Sequence, residues 1–304
     1  MGETLAFTYQ ALGRWLTYGC VLALIGIVTF RFAVEPAVRR SGVTVADWKP
    51  VDARITRIGW AAAGGLLVAT LWRLWAQTYA VFGLDEGVTL QFVKIVMLDT
   101  SWGSGWLAQV TVAAGAAGGF WASRKTPTMQ WAAAAVVLLA AAAMPLTGHA
   151  MSQVPPVIGV MLQGAHVVGA GVWLGTLGVV LVMMVAMRRL PGHPAAIAAT
   201  IQAFSPFALV GAGVLVASGF VTAVLYLPHL RDLWATAYGL VLLSKFALFL
   251  GVAAFGAYNW RVLRPSLGSE RATHALQRSA AIELLVGTVV LVVTAVLVAL
   301  PLAE

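Results

Sequence analysis

Two histidines stand out in a chain with little other polar chemistry between long apolar runs: His149 in GHAMSQ and His166 in QGAHVVGAGVW. A neutral imidazole keeps one ring nitrogen with a free lone pair, so two rings at one depth can hold a metal ion or a haem iron between them. Met144, Met151 and Met161 are close enough in sequence to add thioether sulfurs, a soft donor set suited to Cu(I), with Met151 nearest the pair. The plainer alternative is that His149 caps its helix and His166 bonds to a neighbour, while methionine in an apolar helix ordinarily packs. Trp173, seven residues beyond His166 on the same helical face, either walls such a site or is simply packed there.

The elements that must position these residues are set by composition. With 61% hydrophobic and 10% charged residues over 304 positions, and a mean hydropathy of +0.89, this is an all-α polytopic membrane protein. Unsatisfied backbone groups are intolerable in hydrocarbon, so each long apolar run predicts a helix of about 20 residues. Eight spans are expected: Phe7 to Phe30, Ile58 to Tyr79, Trp106 to Ser123, Trp131 to Ala150, Val157 to Met187, Ala198 to Tyr226, Tyr238 to Asn259 and Ser279 to Leu300. The first lacks a basic leader and a small-residue cleavage site, and is read as a retained span.

Basic loops stay on the cytoplasmic side. Of the 19 Lys and Arg residues, 14 fall in or beside alternate connections, from Arg31 to Arg57, at Arg124 and Lys125, at Arg188 and Arg189, and from Arg261 to Arg278. Only Lys94 and Arg231 fall in the opposite loops. Both termini are therefore expected to be periplasmic, and the net charge of +8 is assigned to topology and anionic lipid rather than to nucleic acid. Counting outward from Trp131 and backward from Arg188 puts His149 and His166 level near the outer surface. The short SQVPP connection makes their helices antiparallel neighbours. The one cysteine, Cys20, permits no internal disulfide.

Four segments recur in order: the glycines of the first and fifth spans, GLLVAT from Gly65 and GVLVAS from Gly213, TSWG and TAYG, and AMPL and ALPL. They suggest two parallel four-helix halves, residues 1–150 and 156–304, within one membrane domain. Neither histidine is repeated in the other half; Arg14 aligns opposite His166.

Ionisable groups within spans are functional candidates because a lone charge in hydrocarbon costs several kcal/mol. Arg14, Arg73 and Lys245 fall in the outer half, suited to neutralising carboxylates such as haem propionates, or else to snorkelling. Glu283 lies nearer the inner side, within reach of Asn259 or Arg261. His229, beside Pro228 and Asp232, reads as a solvated loop residue. No P-loop, HExxH or GxSxG motif is present, and the chain is not expected to be an enzyme.

These residues resemble the copper resistance protein D (CopD) family of bacterial inner-membrane proteins. The likeness is strongest over about 204–301, in FSPFALV, SGFVTAV, TAYGLVLLSKFALFL, AYNWRVLRPSL and LQRSAAIELLVGTVVLVV, and extends to LTGHA and HVVGAGVWLGTL. Earlier helices are similar mainly in hydropathy. The resemblance implies an eight-helix protein passing copper between periplasm and cytoplasm, with His149 and His166 at family positions and a small periplasmic copper-binding partner of the CopC type. Gln109 stands where relatives often carry Arg. A more distant resemblance to cytochromes of the b561 type implies the alternative, a haem b electron-transfer protein using the same pair, with Trp173, Arg14, Arg73 and Lys245 around the cofactor.

Overall fold

A computed structural model describes residues 2–84, 86–123, 129–148, 155–187, 193–227, 229–266 and 270–300. Among them every regular element is helical. In chain order these are α1 (Gly2–Thr29), α2 (Glu35–Arg40), α3 (Val45–Phe82), α4 (Leu90–Leu98), α5 (Ser101–Ser123), α6 (Met129–Ala143), α7 (Pro156–Ala170), α8 (Thr176–Met187), α9 (His193–Tyr226), α10 (Asp232–Ala235), α11 (Ala237–Tyr258) and α12 (Glu270–Ala299). Three π-helical turns, Phe30–Val34, Gly171–Gly175 and Asn259–Leu263, join α1 to α2, α7 to α8 and extend α11.

Seven helical stretches are long and apolar enough to cross a bilayer: Gly2–Arg40, Ala46–Phe82, Gln130–Thr147, Pro156–Met187, Ala195–Tyr226, Ala237–Leu263 and Arg271–Ala299. The remaining expected span, Trp106 to Ser123, falls within α5. That helix has 23 residues, sufficient length for the hydrocarbon core, but Ser, Gly and Gln replace much of its apolar surface. The chain is thus an all-α, multi-pass membrane protein.

Several helices begin earlier than hydropathy suggests. Thr44 caps α3 by accepting from the Asp47 backbone N–H at 3.2 Å, and Trp48, Val51 and Ile55 are buried along the added turns, so α3 starts at Val45 rather than Ile58. Arg54 and Arg57 therefore ride on a helix instead of a loop. The C-terminal end of α1 is fastened by charge. Arg31 pairs with Glu35 at 2.8 Å and with Asp52 of α3, while Arg39 reaches Glu35 at 2.7 Å and lies over the Trp48 ring.

α1 is the central helix, packing on α3, α6, α7, α8 and α12. Its closest approach needs glycine on both sides: a Cβ at Gly26 would fall on the Gly175 backbone, and one at Gly175 would fall on the Leu22 carbonyl. α7 and α6 are neighbours, as the short connection requires, with Gly164 lying against the Ala142 backbone. α7 also packs closely on α9 through Gly169 and Gly211. These three contacts bring the His166 helix between α1, α6 and α9.

Candidate functional site

His166 is half-buried on α7. Its Nδ1 lies 3.2 Å from the Ser218 hydroxyl on α9, and that hydroxyl donates its own proton to the Val214 carbonyl at 2.6 Å. With its proton so engaged, Ser218 Oγ accepts from Nδ1–H, which places the free lone pair of the neutral ring on Nε2. The ring lies against Gly219, where a Cβ would come within 2.9 Å of Cε1; only glycine gives this imidazole its place. A second group orienting the far nitrogen of a histidine is the arrangement that metal-binding imidazoles use.

Ser218 and Gly219 were not singled out from sequence. Both lie within the SGFVTAV segment, but nothing local connects them to a histidine 52 residues earlier. His149 and Met151, the other two expected ligands, lie outside the described residues. Of the remaining methionines, Met144 is buried in the core and Met161 is exposed. Among the described residues no group of three or more His, Cys, Asp or Glu side chains could hold a metal by itself.

The expected basic residues fall into two places. Lys245 of α11 lies near enough for its charge to act on the His166 ring. Arg14 of α1 and Arg73 of α3 are instead together at a small cavity lined also by Gln10, Ala76, Gln77 and Trp102. Arg73 is buried and donates to Gln109 Oε1 at 2.6 Å and to Thr147 Oγ1 at 2.5 Å. Gln109 in turn donates to Thr147 Oγ1 and to the carbonyls of Ala143 and Met144, at 2.9–3.2 Å. The neutral amide thus spans α3, α5 and the turn ending α6, just before His149. Arg14 keeps one buried guanidinium nitrogen without a partner. Among the described residues neither arginine forms an ion pair, unlike Arg31 and Arg39 at the opposite end of α1.

Trp173, in the π-helical turn after α7, is buried with its ring edge-on to Phe249. Its indole N–H donates to Glu283 Oε1 at 3.0 Å, and Asn259 Nδ2 donates to Glu283 Oε2 at 2.9 Å. The Asn259 contact is one that sequence depth anticipates; the tryptophan contact is not. His229 has its backbone N–H bonded to Asp232 Oδ2 at 3.1 Å, in an exposed turn. A cavity of about 560 Å³ among the described residues is lined by Gln202, Trp260, Arg261, Arg264 and Pro265, none of them histidine. A haem held by His166 would need His149 as its second protein ligand and would supply one-electron chemistry there.

An all-helical bundle with small-residue helix crossings and ionisable residues in its spans defines a polytopic membrane protein. The sequence matches the family described as copper resistance protein D over residues 198–297, and the copper resistance protein D-like N-terminal domain over 4–154. The chain belongs to the copper resistance protein D family. The second match covers helices in which the likeness read from sequence was mainly one of hydropathy. A curated relative, the copper transport protein CutJ of Bacillus subtilis (strain 168), is 28% identical over 258 residues, 82% of this chain. The aligned region is 46% of that relative, so the chain spans about half its length. No solved structure matches.

Proposed function

We propose that this protein carries copper across a bacterial inner membrane, receiving the ion at an outer-face site formed by His166, His149 and Met151. The observation that carries the reading is the contact of His166 Nδ1 with the Ser218 hydroxyl, whose own proton is engaged by the Val214 carbonyl. Ser218 Oγ accepts a hydrogen bond from Nδ1–H, and Nε2 is left as the lone-pair donor that a soft metal ion binds. Family membership and the printed name of the relative support copper as the cargo. The bias of basic residues to alternate connections supports periplasmic termini, and with them an outer-face position for the site. Delivery by a CopC-type periplasmic protein fits a site open at that face. Transport rather than catalysis is the activity assigned.

The test compares the detergent-purified protein with His166→Ala and His149→Ala. Each variant is expected to lose bound Cu(I) and copper-dependent uptake or tolerance while its expression stays at the normal level. Normal copper phenotypes in both would remove the site from the reading. A reducible Soret band in the purified protein, lost in the same variants, would replace copper by haem b at this pair.

A further inference from the structure

We propose that Glu283 is a proton-binding site within the membrane whose neighbours are arranged to hold it both ionised and protonated. Its carboxyl is 2% exposed on α12. As drawn by the hydrogen bonds it is an acceptor at both oxygens, from Trp173 Nε1 and Asn259 Nδ2. That is the ionised form, held by two neutral donors. A carboxylate without a base in hydrocarbon is costly, and binding one proton removes that charge.

The protonated form needs an acceptor for its new O–H, and the site contains one. Asn259 Oδ1 is buried and has no partner. Rotating the Asn259 amide half a turn exchanges its two arms. In the ionised state Nδ2–H donates to Oε2; in the protonated state Oε2–H donates to Oδ1. The proton comes from water, the carboxylate lone pair takes it, and one N–H···O bond is exchanged for one O–H···O bond. Gly256 leaves room beside the carboxyl: a Cβ there would stand 3.5 Å from Oε1 and 3.6 Å from Trp173 Cζ2. One turn earlier on α12, the buried Ser279 hydroxyl is also without a partner.

Both donors stand in π-helical turns, Trp173 in Gly171–Gly175 and Asn259 in Asn259–Leu263. Such turns shift a helix out of its regular register and are frequent at functional positions. The first of them lies on the same continuous span as His166. Charged or titratable groups on the elements packed against α12 include Tyr238, Lys245, Tyr258 and Arg261 on α11 and its extension, Glu3, Tyr9, Arg14, Tyr18 and Cys20 on α1, and Tyr226 on α9. Arg278 and His274 lie on α12 itself. Among the described residues none of these forms a hydrogen bond or ion pair with Glu283.

Coupling of this proton to cargo rests on the copper-transport reading; the proton site itself does not. Infrared pH-difference spectroscopy of the full chain in lipid, from about pH 9 to about pH 5, tests the site alone. A protonated-carboxyl C=O band is expected to grow on acidification and to be missing in Glu283→Gln, which keeps the side-chain shape. In Asn259→Leu the band should move to higher frequency, since the acid loses its acceptor. Absence of any titrating band that Glu283→Gln removes overturns the proposal, as does a band unmoved by Asn259→Leu.

Proteoliposomes then test coupling. Wild-type copper flux should respond to an imposed pH gradient by up to roughly tenfold per pH unit, as one proton allows, and Glu283→Gln should make it flat. An equal response in both proteins overturns the coupling. A titrating band with no copper flux in wild type supports the proton site and overturns the transport reading.

Discussion

Gln109 holds a buried cation without offering it a charge, and removing that amide should reveal how the junction of α3, α5 and the turn ending α6 is stabilised. Gln109→Leu keeps approximate volume but deletes the acceptor 2.6 Å from Arg73 and the donors to Ala143, Met144 and Thr147. A hydrogen bond to a charged group is worth about 1.5–3 kcal/mol, and the partner left behind loses its compensation. Neutral interhelical bonds in membranes average only about 0.6 kcal/mol, so the expected cost of about 2–3 kcal/mol lies mainly in the stranded guanidinium. Thr147 Oγ1 remains as its hydrogen-bond acceptor. Replacing the cation as well, in Arg73→Met with Gln109→Leu, removes the stranded charge and should recover most of the loss. Denaturant unfolding in detergent of the two single variants and the double gives the coupling directly. Equal stability of Gln109→Leu and wild type, or strictly additive losses in the double variant, would refute this account of Arg73.

Ser218→Ala removes the group that fixes the His166 tautomer and is expected to weaken Cu(I) binding roughly tenfold to a hundredfold, measured by competition with a chelator, without unfolding the protein. Unchanged affinity would separate Ser218 from the site. Gly175→Val places side-chain atoms where α1 and α8 meet backbone to backbone, and should destabilise the protein by about 3 kcal/mol or more, read as a lower melting temperature. A stable Gly175→Val protein would contradict that crossing.

How much of this was legible in sequence depends on whether an interaction is local. The His166 site candidate and the Glu283–Asn259 approach follow from counting residues along helices of known rise, because membrane thickness turns sequence position into depth. Ser218, Gly219 and the Trp173 indole lie on other helices or other faces, and depth alone does not specify which face a helix turns to its neighbour. The π-helical turns are invisible to hydropathy, since they change register without changing composition. Hydropathy also misplaced the start of α3, where a threonine cap and three buried apolar side chains continue the helix through a charged stretch. The same measure expected a full span at Trp106 to Ser123, where α5 is long enough but rich in small and polar residues.

The meeting of Gly26 and Gly175 constrains where cargo can travel. With not even a methyl group between the two backbones, the seam between α1 and the π-helical turn leading into α8 is shut to a dehydrated ion as firmly as any gasket. The route proposed for copper from His166 would run instead along the flank of that helix that carries Trp173, whose indole meets Glu283 and, through it, Asn259.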